Sequence, residues 1–327
     1  MMTMLKDYNT WAVFPTIVNV NVLRGKCPCR CVHCPVGIIT PGERARHFGQ
    51  QVMDLDLFKR IALEVATYTH AAIRIHAVGE PLLWADLDAA VRFLNQHAVQ
   101  SWIFTCAVTE DRSILRILCE HVSIIEVSVN ATGRREYLDT KGIDAFHLVT
   151  DNIAYMANYI EENRLPARLL LSRVQTEDEN SDRQFKTYWE GKGWADDVFI
   201  RSYHNYNDLL DAKHGASIKK PCLVHWARAS IDCDGTMVCC FNELFKQYTP
   251  DVVLGKVSGK TSILQIWRGR KLQQIRAGDQ AGDFSGLPFD LPCKNCKTCQ
   301  PIDTLRDTSE KQLSRKPSPA ANKDHQA

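Results

Sequence analysis

Residues 17–34 read Ile-Val-Asn-Val-Asn-Val-Leu-Arg-Gly-Lys-Cys-Pro-Cys-Arg-Cys-Val-His-Cys, and the architecture follows from them. Val18, Val20 and Val22 alternate with Asn19 and Asn21, a period of two that predicts a strand over 17–23. That strand runs directly into four thiols, Cys27, Cys29, Cys31 and Cys34. Further along, Asp54 precedes a helical stripe of Leu57, Phe58, Ile61, Ala62 and Val65, which predicts a helix capped by Asp54. A second strand over 72–78 ends at Gly79-Glu80-Pro81. The pattern then repeats: helix 87–97, strand 101–105, helix 112–120, strand 124–129, helix 147–162, strand 167–174, helix 183–191 and strand 197–203. Six such alternations predict an α/β fold with a parallel sheet, open or closing toward a barrel. Ligands in such sheets sit at the carboxyl ends of the strands.

At 327 residues the chain has room for about two domains, or one large α/β domain with an appendage. A net charge of +2 gives no electrostatic reason to bind nucleic acid or an anionic membrane. Apolar residues at 45% and charged ones at 24% are ordinary for a globular protein, and no apolar run is long enough to span a bilayer. The first residues lack the basic start and apolar stretch of a secretory signal, so a cytoplasmic location is expected. Thirteen cysteines in a reducing compartment point to metal or catalysis rather than disulfides. Four cluster at 27–34 and seven lie between Cys222 and Cys299, so two metal centres are suggested, while Cys106 and Cys119 read as buried small hydrophobes.

The spacing Cys27-x3-Cys31-x2-Cys34 just after a strand resembles that of the radical S-adenosylmethionine (SAM) superfamily. The resemblance implies a partial (β/α)6 TIM-like barrel over 1–207. It also implies a [4Fe–4S] cluster on these three thiolates, with the fourth iron left open for SAM. In that family the cluster cleaves SAM reductively to a 5′-deoxyadenosyl radical. Gly79 and Glu80 match the family's turn for the SAM amino group, although Val78 stands where the family has its first glycine. His33 falls where relatives stack on adenine. Ser128 and Asn130, two apart at a strand end, match the segment that contacts SAM ribose or carboxylate. Thr105, Arg173 and Arg201 end later strands and are candidate substrate contacts, the arginines as carboxylate clamps or as structural ion pairs. Zinc, with Cys29 as fourth ligand, is the alternative for the first set.

After a polar link over 208–221, residues 222–302 resemble the auxiliary-cluster domains of the SPASM and shortened twitch type. The matching residues are Cys222, Asp234-Gly235, Cys240 at a Gly-x4-Cys spacing, Leu254-Gly255-Lys256, Ile266-Trp267 and Cys293-x2-Cys296. Asp234-Gly235 signals a hairpin between strands 229–231 and 236–241, and a short helix ends near Gly269. Adjacent residues on a regular strand face opposite ways, so Cys239 and Cys240 cannot both reach one cluster, and the Gly-x4-Cys spacing of the resemblance selects Cys240. Cys222, Cys240, Cys293 and Cys296 then hold one auxiliary [4Fe–4S] cluster, with Cys299 a possible substitute and a zinc ribbon the alternative. Residues 303–327 are polar and read as a disordered tail.

The resemblance extends to 2-deoxy-scyllo-inosamine dehydrogenase-like enzymes, which share Gly-Glu-Pro-Leu-Leu, here Gly79 to Leu83. It implies oxidation of a small polar substrate, a sugar or aminocyclitol, with electron transfer to the auxiliary cluster and a flavodoxin or ferredoxin-type reductant. Only 26 residues precede Cys27, too few for a peptide-recognition domain, yet a peptide substrate stays open. Epimerisation, with Cys233 or Cys239 as hydrogen donor, is the second outcome. A non-catalytic iron–sulfur or zinc protein is the alternative of another class.

Overall fold

A computed structural model describes residues 13–211, 221–297 and 312–313. Its strands form one nine-stranded sheet in the order β6-β5-β4-β3-β2-β1-β7-β8-β9. β1 (Ile17–Arg24), β2 (Ala72–Val78), β3 (Gln100–Thr105), β4 (Ile124–Ser128), β5 (Arg168–Val174) and β6 (Asp197–Arg201) are all parallel. Between them run α1 (Pro35–Ile38), α2 (Pro41–Phe48), α3 (Leu55–Ala66), α4 (Leu87–Gln96), α5 (Arg112–His121), α6 (Arg134–Lys141), α7 (Phe146–Glu162) and α8 (Glu179–Lys192). The strand–helix alternation legible in the sequence is therefore the fold, with α1, α2 and α6 added. Asp54 caps α3 as expected, its carboxylate accepting from the backbone N–H of Asp56 and Leu57.

β1 is buried along both faces, as parallel sheets require. Val18, Val20 and Val22 join the main core under the helices. Asn19 and Asn21, on the polar face, are also buried and build a hydrogen-bonded layer inside the barrel. Asn19 Oδ1 accepts from Arg74 Nε at 2.7 Å, and Asn21 Oδ1 accepts from the Val78 N–H at 2.7 Å.

The C-terminal segment continues this sheet. After α9 (Leu223–Ala227), β7 (Arg228–Ile231) pairs in parallel with β1, and β8 (Thr236–Val238) and β9 (Val253–Lys256) add antiparallel strands. The expected hairpin forms, but β8 ends at Val238 with a register shift between Met237 and Val238, three residues short of the expected end. α10 (Ile263–Trp267) is the expected short helix, and α11 (Arg270–Ala281) follows it beyond expectation. A buried ion pair fastens hairpin to core: Arg24 Nη2 lies 2.5 Å from Asp232 Oδ2, and Asn21 Nδ2 and Tyr248 Oη donate to the same carboxylate at 2.7 and 3.0 Å.

Most of the expected link over 208–221 and most of the expected tail fall outside the described residues. Within that tail, Gln312 and Leu313 are placed against the floor of the sheet. Arg168 donates to the Gln312 carbonyl at 2.7 Å, and Gln312 Nε2 donates to Asp197 at 2.7 Å. Leu313 packs with Trp102, Ile124, Leu170 and Phe199. Among the described residues no helix is long and apolar enough to cross a membrane.

Candidate active site

A cavity of about 840 Å³ opens at the carboxyl ends of the parallel strands. Cys27, Cys31 and Cys34 line it, on the loop that leaves β1. Local chemistry explains how so short a loop keeps its shape. Arg44 from α2, itself buried, donates to the carbonyls of Cys27 at 2.6 Å and Cys29 at 2.9 Å. The N–H groups of Arg30 and Val32 donate to Lys141 and Thr140 at the end of α6. A Cβ on Gly37 would come within 2.1 Å of the Cys31 carbonyl, so only glycine permits that approach.

The four loop thiols are not equivalent. Cys29, 1% exposed, contacts Cys27, Cys31 and Cys106 beneath the loop. Its hydrogen bond brings the Cys31 thiol down to about 6, whereas burial pushes Cys34 up to about 12. Cys106 is no mere filler: it lines the cavity, and its N–H donates to Glu80 Oε2 at 2.8 Å. Cys119, by contrast, is buried in the main core, as expected.

Glu80 lies where the sequence placed it, on the turn after β2. Gly79 has φ +158, and a Cβ there would stand 2.2 Å from the Lys26 carbonyl, so this glycine lets the turn close on the cysteine loop. Thr105, which also lines the cavity, donates from Oγ1 to Glu80 Oε1 at 2.6 Å and so orients that carboxylate. His33 and Ser128 line the same cavity. Asn130 departs from expectation: β4 ends at Ser128, Asn130 takes a left-handed φ of +61, and it is not among the lining residues. Its Nδ2 donates to Ser128 Oγ at 2.7 Å and its Oδ1 accepts from the Val174 N–H. The pleat argument fails because the strand stops two residues earlier.

Lys141 was not legible in the sequence. It is buried and donates to Ser128 Oγ at 3.2 Å. Burial works against its ammonium, but the thiols of Cys31, Cys29 and Cys106 outweigh this and raise its pKa.

Arg173 and Arg201 both line the cavity and both are held by carboxylates. Arg173 Nη2 lies 3.0 Å from Glu136, and Arg201 Nη2 lies 2.5 Å from the fully buried Glu126. Of the two expectations for them, the ion pair is the one present. His76 and His204, which sequence reading passed over, also line the cavity. Burial lowers His76 to about 3 and His204 to about 4, with nearby arginines adding to both shifts.

The second cysteine set reaches the same cavity from the other side. Cys222 stands at the start of α9, Cys240 just past β8, and Cys293 and Cys296 at a 3-10 turn over Pro292–Asn295, and all four are lining residues. Cys222 and Cys293 sit close enough to Cys240 to raise its pKa, after burial, the larger cause. Cys299 lies outside the described residues. Because β8 stops at Val238, strand alternation does not govern Cys239, and its thiol contacts Cys293. Neither Cys239 nor Cys233 is among the residues that line the cavity. Sequence reasoning also missed Asp279 of α11, which accepts from the Cys222 N–H at 2.9 Å and from Trp226 Nε1 at 2.9 Å. A helix that was not foreseen could not be searched for ligand-supporting residues.

Residues 222–300 match the family model SPASM, an iron-sulfur cluster-binding domain. Among solved structures, the chain is similar to BtrN in complex with AdoMet and 2-DOIA, at 19% identity and a TM-score of 0.56, covering 87% of this chain and 94% of that one. It is similar to Streptococcus suis SuiB bound to the precursor peptide SuiA, at 14% identity and a TM-score of 0.61, covering 94% and 77%. A third likeness is to native anSMEcpe with bound AdoMet, at 12% identity and a TM-score of 0.59, covering 80% and 83%. No curated protein matches the chain by sequence.

By their chemistry the donor sets suit iron–sulfur clusters. Each is built of thiols, three on the loop facing the cavity and four gathered from separate segments, and thiolates are the usual holders of iron–sulfur clusters. For SAM, the Glu80 carboxylate has about four lone-pair sites and three accepted hydrogen bonds, leaving one on Oε2 for an ammonium group. The C-terminal segment therefore matches an iron–sulfur cluster-binding domain, and the chain as a whole has the fold of the AdoMet-bound structures it is similar to.

Proposed function

We propose that this chain is a radical SAM oxidoreductase that dehydrogenates a small polar substrate, such as a sugar or aminocyclitol, and passes an electron to an auxiliary [4Fe–4S] cluster. The observation that carries this reading is the single cavity lined at one side by Cys27, Cys31 and Cys34 and at the other by Cys222, Cys240, Cys293 and Cys296. A substrate between them would face a radical source and an electron acceptor at once. When bound, a cluster on Cys27, Cys31 and Cys34 together with SAM would supply the radical chemistry that removes a hydrogen atom from a substrate carbon.

The chain's own residues prepare that chemistry. Arg44, through the Cys27 and Cys29 carbonyls, keeps the loop open toward the cavity. Thr105 and the Cys106 N–H aim the Glu80 carboxylate, which would bind the SAM amino group. Ser128, held by Asn130 and Lys141, and His33 would contact the rest of SAM. A flavodoxin or ferredoxin-type protein would supply the first electron. Epimerisation has weaker support, because Cys233 and Cys239 do not line the cavity.

A peptide substrate is the second reading, favoured by the likeness to SuiB bound to its precursor peptide. The test is anaerobic reconstitution with iron and sulfide, then incubation with SAM and dithionite and quantitation of 5′-deoxyadenosine. Deuterium transfer into 5′-deoxyadenosine from labelled cyclitols or sugars, with a product two electrons more oxidised, is the expected result. Transfer from peptides alone would replace the first reading with the second. Two intact clusters with no SAM cleavage would sink both.

A further inference from the structure

Among the thiols of the second set, one has a neighbour of a different kind. His225 lies in α9, three residues after Cys222, with its ring 2% exposed. Its Nε2 stands 3.5 Å from Cys293 Sγ, a normal separation for a hydrogen bond to sulfur. Its Nδ1 stands 3.3 Å from Asp279 Oδ2. Asp279 is itself 4% exposed and is anchored by Trp226 Nε1 and the Cys222 N–H, so the carboxylate has little freedom to move. Arg276 donates to the His225 carbonyl at 2.9 Å and fixes the backbone beneath the ring. The imidazole thus lies between an anchored carboxylate, in ionic contact with its Nδ1 but outside hydrogen-bond geometry, and a cysteine that faces the cavity.

A cluster-bound thiolate accepts hydrogen bonds and cannot donate them, so the hydrogen between His225 and Cys293 belongs to Nε2. We propose that His225, oriented by Asp279, donates a hydrogen bond to the Cys293 thiolate and thereby sets the reduction potential of the auxiliary cluster. A donor to a cluster sulfur stabilises the added negative charge of the reduced state, which raises the potential. Metal ligands are commonly held and tuned by such outer partners. His225 is then a positioning and tuning residue rather than a fifth ligand, and it makes the auxiliary cluster a better acceptor of the substrate's electron. The inference rests on the auxiliary-cluster part of the proposed function, and not on SAM cleavage.

The experiment is an anaerobic redox titration, followed by electron paramagnetic resonance, on the full chain with Cys27, Cys31 and Cys34 changed to Ala so that only the auxiliary signal remains. Two substitutions separate the hydrogen bond from mere packing. In His225→Gln the amide nitrogen reaches the place of Nε2 and keeps an N–H toward sulfur; in His225→Asn it reaches only the place of Nδ1. The expected result is a potential near that of the parent chain for His225→Gln and a distinctly more negative one for His225→Asn. Equal potentials in all three chains would overturn the proposal. So would loss of the auxiliary iron in both His225 variants with retention of it in Cys293→Ala, since His225 would then be the ligand. A chain whose potentials follow the expected order but which never cleaves SAM refutes the proposed reaction and leaves this inference standing.

Discussion

The two cysteine sets reach one cavity by opposite means. Cys27, Cys31 and Cys34 lie within eight residues on one loop, whereas Cys222, Cys240, Cys293 and Cys296 span 75 residues and come from three segments. The first set sits on one loop, shaped from nearby by Arg44 and the close approach at Gly37 and from further along the chain by Gly79 and the end of α6. The second exists only because β7 pairs with β1 and α11 brings Asp279 to the Cys222 amide. A locally encoded site should tolerate damage elsewhere, and an assembled one should not.

The sharpest way to break that comparison is to remove one set at a time. Changing Cys27, Cys31 and Cys34 to Ala should reduce 5′-deoxyadenosine formation to background while about four irons per chain remain. Loss of all iron would mean that the second set cannot form alone. The converse variant, Cys293→Ala, should lose the auxiliary iron and product turnover but keep SAM cleavage, read as 5′-deoxyadenosine formed without oxidised product. Normal product yield would remove the auxiliary cluster from the reaction.

The seam between the sets offers a test of stability. Asp232→Ala leaves Arg24 buried without its carboxylate and should cost about 3–5 kcal/mol in denaturant unfolding. A loss under about 1 kcal/mol would mean that the hairpin is held by the sheet and not by this pair.

The smallest effect concerns the cavity walls. Burial keeps His76 at about 3 and His204 at about 4, both below the ordinary 6.5. Below pH 6.5 the unfolded chain takes up protons that the folded protein refuses, so stability falls as pH drops from 6.5 toward 4 and 3. At pH 5 the loss is about 2 kcal/mol per histidine. Unfolding free energies at pH 7 and pH 5 should differ less in His76→Gln than in the unaltered chain, and an equal difference would mean His76 is not held neutral by burial.

How much of this was legible follows from the range of each signal. The strands and the capped helix after Asp54 are written in short patterns, because alternation and capping are interactions among near neighbours. The fate of Asn130 was not, since it depended on where β4 stops. Nor were the roles of Arg173 and Arg201. An arginine at a strand end looks the same in sequence whether a ligand or a carboxylate such as Glu126 meets it.

By itself the sequence determined the alternating α/β order and the loop that carries three thiols, and it singled out four later cysteines as candidate ligands. These rest on spacing along the chain, which no packing decision can alter. Only the tertiary structure decided that both sets share one cavity, that Thr105 orients Glu80, that Cys106 underlies the loop, and that His225 and Asp279 stand behind Cys293. Those contacts join residues 25 to 77 positions apart, brought together by strand pairing and burial rather than by any local pattern.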